Sequence, residues 1–240
     1  MKKIKWIVLA IVILFLSVTA FLASRMRIKT VVFEGNERVS DEVLEKYIFS
    51  KDFSRNPFMF YYQTNYKEHP QIPFVERYDV EFDSFDKINI TVYEKDMIGC
   101  VSYMGAYLYF DKDGIVVESS DEYQKDITLV TGIRFEYFIL DSKLPVKDEK
   151  IFDEVLGITQ QLSKYNIKVD KLNIADDLSI SLFMDDVVVE LGIDDDTMND
   201  KIVDLSDMME GLKGLSGTLN MQVYDSRKTG YTFKKSKKTS

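Results

Sequence analysis

The chain has 240 residues, 45% hydrophobic and 30% charged, with 4 Pro and 11 Gly, a globular composition that excludes extended disorder and fits one large domain or two small ones. Residues 1–29 and 227–240 each carry six basic and no acidic side chains, so the body between them holds 19 basic against 40 acidic residues, a net of −21. Such a body repels nucleic acid, and no nucleic-acid partner is expected.

Residues 4–23 read IKWIVLAIVILFLSVTAFLA, with one charge, Lys5, at the edge. About 20 helical residues cover the roughly 30 Å hydrocarbon core of a bilayer, so residues 4–24 are expected to be a transmembrane anchor behind a head of residues 1–3. Lys2, Lys3 and Lys5 precede the run while Arg25, Arg27 and Lys29 follow it, so the positive-inside count leaves orientation open. The short basic head favours the N-terminus inside and the long C-terminal part outside the cytoplasmic membrane. Val18-Thr19-Ala20 offers small residues for signal-peptide cleavage, but the apolar run continues to Ala23, which favours an uncleaved anchor.

Residues 28–33 predict a strand, closed by Gly35-Asn36, a pair suited to a turn with φ > 0. A helix follows, with Ser40 as N-cap, Asp41 and Glu42 in the first turn, and Val39 placed to staple onto Leu44. An aromatic helical stretch lies between Pro57 and Pro70. Two strands, 74–82 and 87–94, are joined by Asp83-Ser84-Phe85-Asp86, with Ile88, Ile90 and Val92 alternating against polar neighbours. The order over residues 26–95 is β-α-α-β-β.

In residues 96–226 the apolar run 97–103 encloses Cys100, the only cysteine; it excludes an intrachain disulfide and reads as a buried structural thiol. Strands 107–110 and 115–118 flank Asp111-Lys112-Asp113-Gly114, a hairpin turn. Asp111, Asp113 and Glu122 imitate a calcium loop, but its sixth place, where glycine is required, holds Val116. An amphipathic helix over 148–165 leads into strands 171–174, 178–184 and 187–191, an antiparallel meander. A second helix spans 197–212 behind Asp194-Asp195-Asp196, a solvated cluster suited to a helix N-terminus. A last strand covers 218–224, and a basic tail, residues 227–240, is expected to be a solvated end.

The anchor, the strand ending in Gly35-Asn36-x-x-Val39-Ser40, the Pro73-x-Val75 lead-in and the close on Glu94-Lys95 resemble the POTRA domain of the FtsQ/DivIB family of bacterial division proteins. Phe110-Asp111-x-x-Gly114, Val189-x-Leu191-Gly192 before a helix bearing Lys201, and Gly217-x-Leu219-x-Met221 resemble that family's β domain. The likeness covers residues 26–233. It implies an α+β fold: an N-terminal transmembrane helix, a POTRA-like domain, then a larger mixed α/β domain with a meandering antiparallel sheet. Where the family often has an acid in the final strand, this chain has Asn220.

The sole histidine, His69, stands beside Pro70 with no nucleophile motif, and no phosphate-cradling glycine loop occurs. No catalytic, cofactor-binding or metal-binding residue is expected. The resemblance implies a non-enzymatic division scaffold that binds FtsL and FtsB/DivIC-type coiled-coil proteins at the septum, with the POTRA-like domain as a further surface for septal proteins and residues 4–24 in the lipid. Strand addition at the last edge would do the binding, through Met221, Gln222, Val223 and Tyr224, with Tyr231 and Phe233 as aromatic anchors. Two other classes stay open: a POTRA-type chaperone or translocation module for unfolded clients, and an envelope hydrolase using clustered carboxylates.

Overall fold

The computed structural model describes residues 2–50, 55–67, 69–224 and 230–236. The chain is α+β, with an apolar N-terminal helix and a large mixed sheet, and divides into two units, Met1–Lys95 and Asp96–Ser240.

Helix α1 (Lys2–Arg25) is the apolar run. Its hydroxyls are spent inside the helix: Ser17 donates to Ile13 O, Thr19 to Phe15 O and Ser24 to Phe21 O, so none of these three hydroxyls calls for water. Residues Ile4–Arg25 reach a mean hydropathy of 2.8, long and apolar enough to cross a membrane, a test that a signal sequence also passes. The helix starts at Lys2, so the expected head is part of it; Met1 lies outside the described residues.

The rest of the first unit is β1 (Thr30–Glu34), α2 (Asp41–Ile48), α3 (Pro57–Tyr66), β2 (Val75–Phe82) and β3 (Lys87–Glu94). The sheet order is β1-β3-β2, with β1 parallel and β2 antiparallel to β3. Ile88, Ile90 and Val92 of the central strand are buried together with Leu44 and Ile48 of α2 and Phe60 of α3. Two strands are shorter than the sequence predicts. β1 begins at Thr30 because Ile28 N–H donates to Arg55 O and Lys29 N–H to Asp86 O. β2 begins at Val75 because Phe74 has φ +65°, outside the strand region.

The second unit holds β4 (Gly99–Tyr103), β5 (Ala106–Phe110), β6 (Val116–Ser120), β7 (Leu129–Thr131), α4 (Glu149–Lys164), β8 (Lys171–Ile174), β9 (Ile180–Met184), β10 (Val187–Gly192), α5 (Met198–Leu212), β11 (Gly217–Asn220) and β12 (Thr232–Lys235). All nine strands form one sheet, ordered β12-β11-β10-β9-β8-β7-β4-β5-β6. The expected antiparallel meander is only its β8–β10 part. β7 joins it to the hairpin strands by parallel pairing with both β4 and β8, and β11 is parallel to β10.

One row of apolar side chains crosses this sheet in register: Leu108, Val101, Val130, Leu172, Leu182, Val189, Leu219 and Phe233. All but the half-buried Phe233 are buried, sharing a core with Phe152, Val155 and Leu162 of α4 and Met198, Ile202 and Leu205 of α5. Each such side chain contributes roughly 1.5–3 kcal/mol by leaving water.

The expected solvated tail needs correction. Thr232–Lys235 is a strand whose Phe233 ends the apolar row, which draws it onto the sheet. Gly217 permits this: a Cβ there would stand 2.3 Å from Lys234 O. Arg227, Lys228, Lys237 and Lys238 lie outside the described residues.

Candidate functional site

The sheet ends at β12. Ser236 N–H donates to Ser216 O at 2.9 Å, and by the two-residue alternation of an antiparallel ladder Lys234 and Thr232 also bond inward. The N–H and C=O groups of Phe233 and Lys235 therefore face away from β11, and among the described residues no strand pairs on that side. Helix α5 braces this edge. Tyr231 donates its hydroxyl hydrogen to Asp204 Oδ2 at 2.7 Å, and burial together with that carboxylate holds the phenol above its ordinary range. Tyr224 is shifted in the same direction, by burial and then by the carboxylates of Asp200 and Asp204.

The proposed edge residues separate on this geometry. The predicted strand over 218–224 stops at Asn220, so β11 is an inner strand and Met221, Gln222, Val223 and Tyr224 do not form the edge. Met221 is wholly buried and belongs to the core. Gln222 turns back, its N–H donating to Asn220 Oδ1 at 3.1 Å. Val223 is 79% exposed beside that turn, and Tyr224 is half-buried. Tyr231 and Phe233 are the two that belong to the edge segment.

Behind the turn is Lys201, fully buried on the inner face of α5, in helical phase with Met198, Ile202 and Leu205. Its ammonium donates to Leu191 O at 3.0 Å and Gln222 O at 3.3 Å and lies 3.5 Å from Asp195 Oδ2. A buried charge is tolerated only with such partners. Lys201 thus ties the end of β10, next to Gly192, to the chain leaving β11. Asn220 stands opposite Glu190 in the β10–β11 register, and its amide donates to Glu190 Oε2 at 3.3 Å, as does that of Gln222 at 3.2 Å. An acid at position 220 would face Glu190 with like charge.

In the first unit Gly35, Asn36, Val39 and Ser40 lie in the β1–α2 loop, which Glu94 at the end of β3 holds through Arg38 and Val39. Its Oε1 accepts from the N–H of Arg38 at 2.8 Å and of Val39 at 3.0 Å, and its Oε2 lies 3.4 Å from the Arg38 guanidinium. Asn36 Nδ2 donates to Val39 O at 2.9 Å and Asp41 Oδ1 at 2.8 Å. Gly35 has φ +83°, and a Cβ on it would meet Val92 O at 2.5 Å. Ser40 occupies the N-cap of α2 but makes no capping bond with its side chain. The motif is a clamp between the β1–α2 loop and the end of β3.

Asp111 and Gly114 build the β5–β6 turn. Asp111 Oδ1 accepts from the N–H of Asp113 and of Ile115, both at 2.9 Å, so this carboxylate is used within its own loop. In the acidic cluster, Asp195 accepts from the N–H and hydroxyl of Thr197, which hold it below its ordinary value, while Asp194 is raised by burial and by Glu154 and Asp195. Among the described residues no group of three His, Cys, Asp or Glu side chains is placed to hold a metal ion. His69 Nε2 donates to Thr64 O at 3.0 Å, and its ring stacks on Tyr78 at 4.6 Å. Cys100 is buried, which pushes its thiol up to about 12.

No protein-family model matches the chain, and no curated protein matches it. Sequence pattern marks Glu94 only as the close of a strand and Tyr231 and Phe233 only as anchors beyond the last strand; the clamp and the strand β12 come from the fold. The signals for them are slight: alternation in Tyr231-Thr232-Phe233-Lys234, and one acid closing a strand.

Proposed function

We propose that the chain is a non-enzymatic scaffold held by one membrane-spanning helix, N-terminus inside, whose large outer sheet captures an extended segment of another protein along β12. The observation that carries this reading is the open edge itself. Phe233 and Lys235 present free main-chain donors and acceptors at the end of a nine-stranded sheet, and Tyr231 is fastened to α5 beside them. A partner strand laid there would gain main-chain hydrogen bonds, with Tyr231 and Phe233 giving side-chain selectivity.

The resemblance to the FtsQ/DivIB family supports assigning the partners as FtsL and FtsB/DivIC-type coiled-coil proteins of the division septum, and the first unit as POTRA-like. Lys235→Pro tests the mechanism. It deletes an outward N–H while leaving the bonds of Lys234 and Ser236 to β11 in place, as edge-strand proline allows. Co-purification of the coiled-coil partners from membranes should be lost with an unchanged melting temperature. Unchanged recovery would sink strand addition at β12.

A further inference from the structure

We propose that the folded first unit rests on the lipid bilayer through an aromatic platform beside the anchor, made by Phe58 and Tyr61 of α3 with Phe82 and Phe85 of the β2–β3 hairpin. This rests on reading α1 as an uncleaved membrane span. The four rings are one surface: Phe58 lies 6.0 Å from Phe85 and Tyr61 6.0 Å from Phe82, and all four border one cleft with Pro57 and Ser84. They are turned outward, with Phe58 50%, Tyr61 53% and Phe85 62% exposed. Four aromatic side chains left in water would be a contiguous apolar patch of the kind that marks an interaction surface.

What covers the patch follows from where it is fastened. Asn56, the N-cap of α3, donates through Nδ2 to Ala23 O at 2.8 Å and Met26 O at 3.1 Å, while its Oδ1 accepts from the N–H of Phe58 and of Met59. One side chain therefore closes both the last turn of the anchor and the first turn of α3. The other end of the platform is tied to the same juxtamembrane segment. Asp86, next to Phe85, accepts through its main-chain oxygen from Lys29 N–H at 2.8 Å and Thr30 N–H at 3.0 Å, and its carboxylate pairs with the Lys29 ammonium at 3.1 Å.

These ties keep Phe58 and Phe85 at the level where α1 leaves the hydrocarbon, in the headgroup layer of roughly 5–8 Å where aromatic rings are favoured. The charges agree with a lipid surface. Arg25 and Arg27 are exposed on either side of Met26, where Asn56 ties the segment to α3, and anionic headgroups there would attract them. The acids nearest the platform, Asp83 and Asp86, are each paired with a lysine, Lys87 and Lys29.

The test uses the full chain in vesicles of phosphatidylglycerol and phosphatidylcholine, the latter brominated high on its acyl chains so that it quenches tryptophan near the interface. Trp6, the native tryptophan, reports insertion of α1. Phe58→Trp and Phe85→Trp, each in a Trp6→Phe background, report the platform at two positions, so one misfolded variant does not decide the matter. Both should lose emission on brominated lipid to an extent comparable with Trp6. Quenching of Trp6 alone overturns the platform contact and leaves the span standing, as would a protein occupant of the patch. An unquenched Trp6 overturns the span, and the platform with it.

Discussion

The ammonium of Lys201 donates to Leu191 O at 3.0 Å from a position with no solvent exposure. Through its second bond, to Gln222 O, it sets where the chain goes after β11 and so where β12 returns. Lys201→Met keeps the aliphatic stem and leaves both carbonyls short of a donor. Stability should fall by roughly 2–3 kcal/mol, measured by urea unfolding, and amide exchange should quicken first in β11 and β12.

The Glu94 clamp makes a separate prediction in the first unit. Glu94→Ala strands the main-chain N–H groups of Arg38 and Val39 in a part-buried site, at a cost of about 2–4 kcal/mol. Glu94→Gln retains an acceptor and should cost clearly less. Equal losses in thermal unfolding of the two variants would show that packing, not the acceptor, matters here.

Asn220→Asp places a carboxylate opposite Glu190. The pair is exposed, so the loss should be only about 0.5 kcal/mol. Its signature is salt dependence: high ionic strength should erase the difference from the native chain. A loss indifferent to salt would mean that the amide's donated bond, rather than charge, is what counts.

Alkali should unfold the second unit for an identifiable reason. Burial pushes Cys100 up from 9.0 to about 12, and Tyr109 and Tyr123 up from 10.0 to about 12. Values raised on folding contribute stability that is complete below the unfolded values and disappears as pH rises through the folded ones. Stability should therefore hold to about pH 9 and decline toward about 12. Tyr123→Phe should flatten the decline in pH-dependent urea unfolding. At pH 7 a thiol reagent should modify Cys100 only as fast as the chain opens.

Much of this architecture was legible in local pattern. The 22-residue apolar run declares α1 by length and apolarity alone, the alternation of Ile88, Ile90 and Val92 marks β3, and the spacing of Ile151, Val155, Leu156, Ile158 and Leu162 marks α4. Such signals are carried by neighbours in the chain, because a helix or strand faces one environment at a fixed period. The Asp111 turn is likewise local, its bonds closing within four residues.

What the tertiary structure alone decided is where the sheet ends. β12 is four residues long and carries two lysines, too short and too basic to stand out. It becomes a strand only because Leu219, fourteen residues before Phe233 in the chain, lies in register with it, and because Gly217 offers no side chain to block Lys234. Lys201 reads as one more surface lysine until α5 docks and two carbonyls from separate segments converge on it. Nonlocal pairing of this kind leaves no period in the sequence, since its partners are fixed by packing rather than by spacing. The chain's own pattern therefore determined an α+β protein with a long apolar N-terminal helix, and packing determined which edge it leaves open.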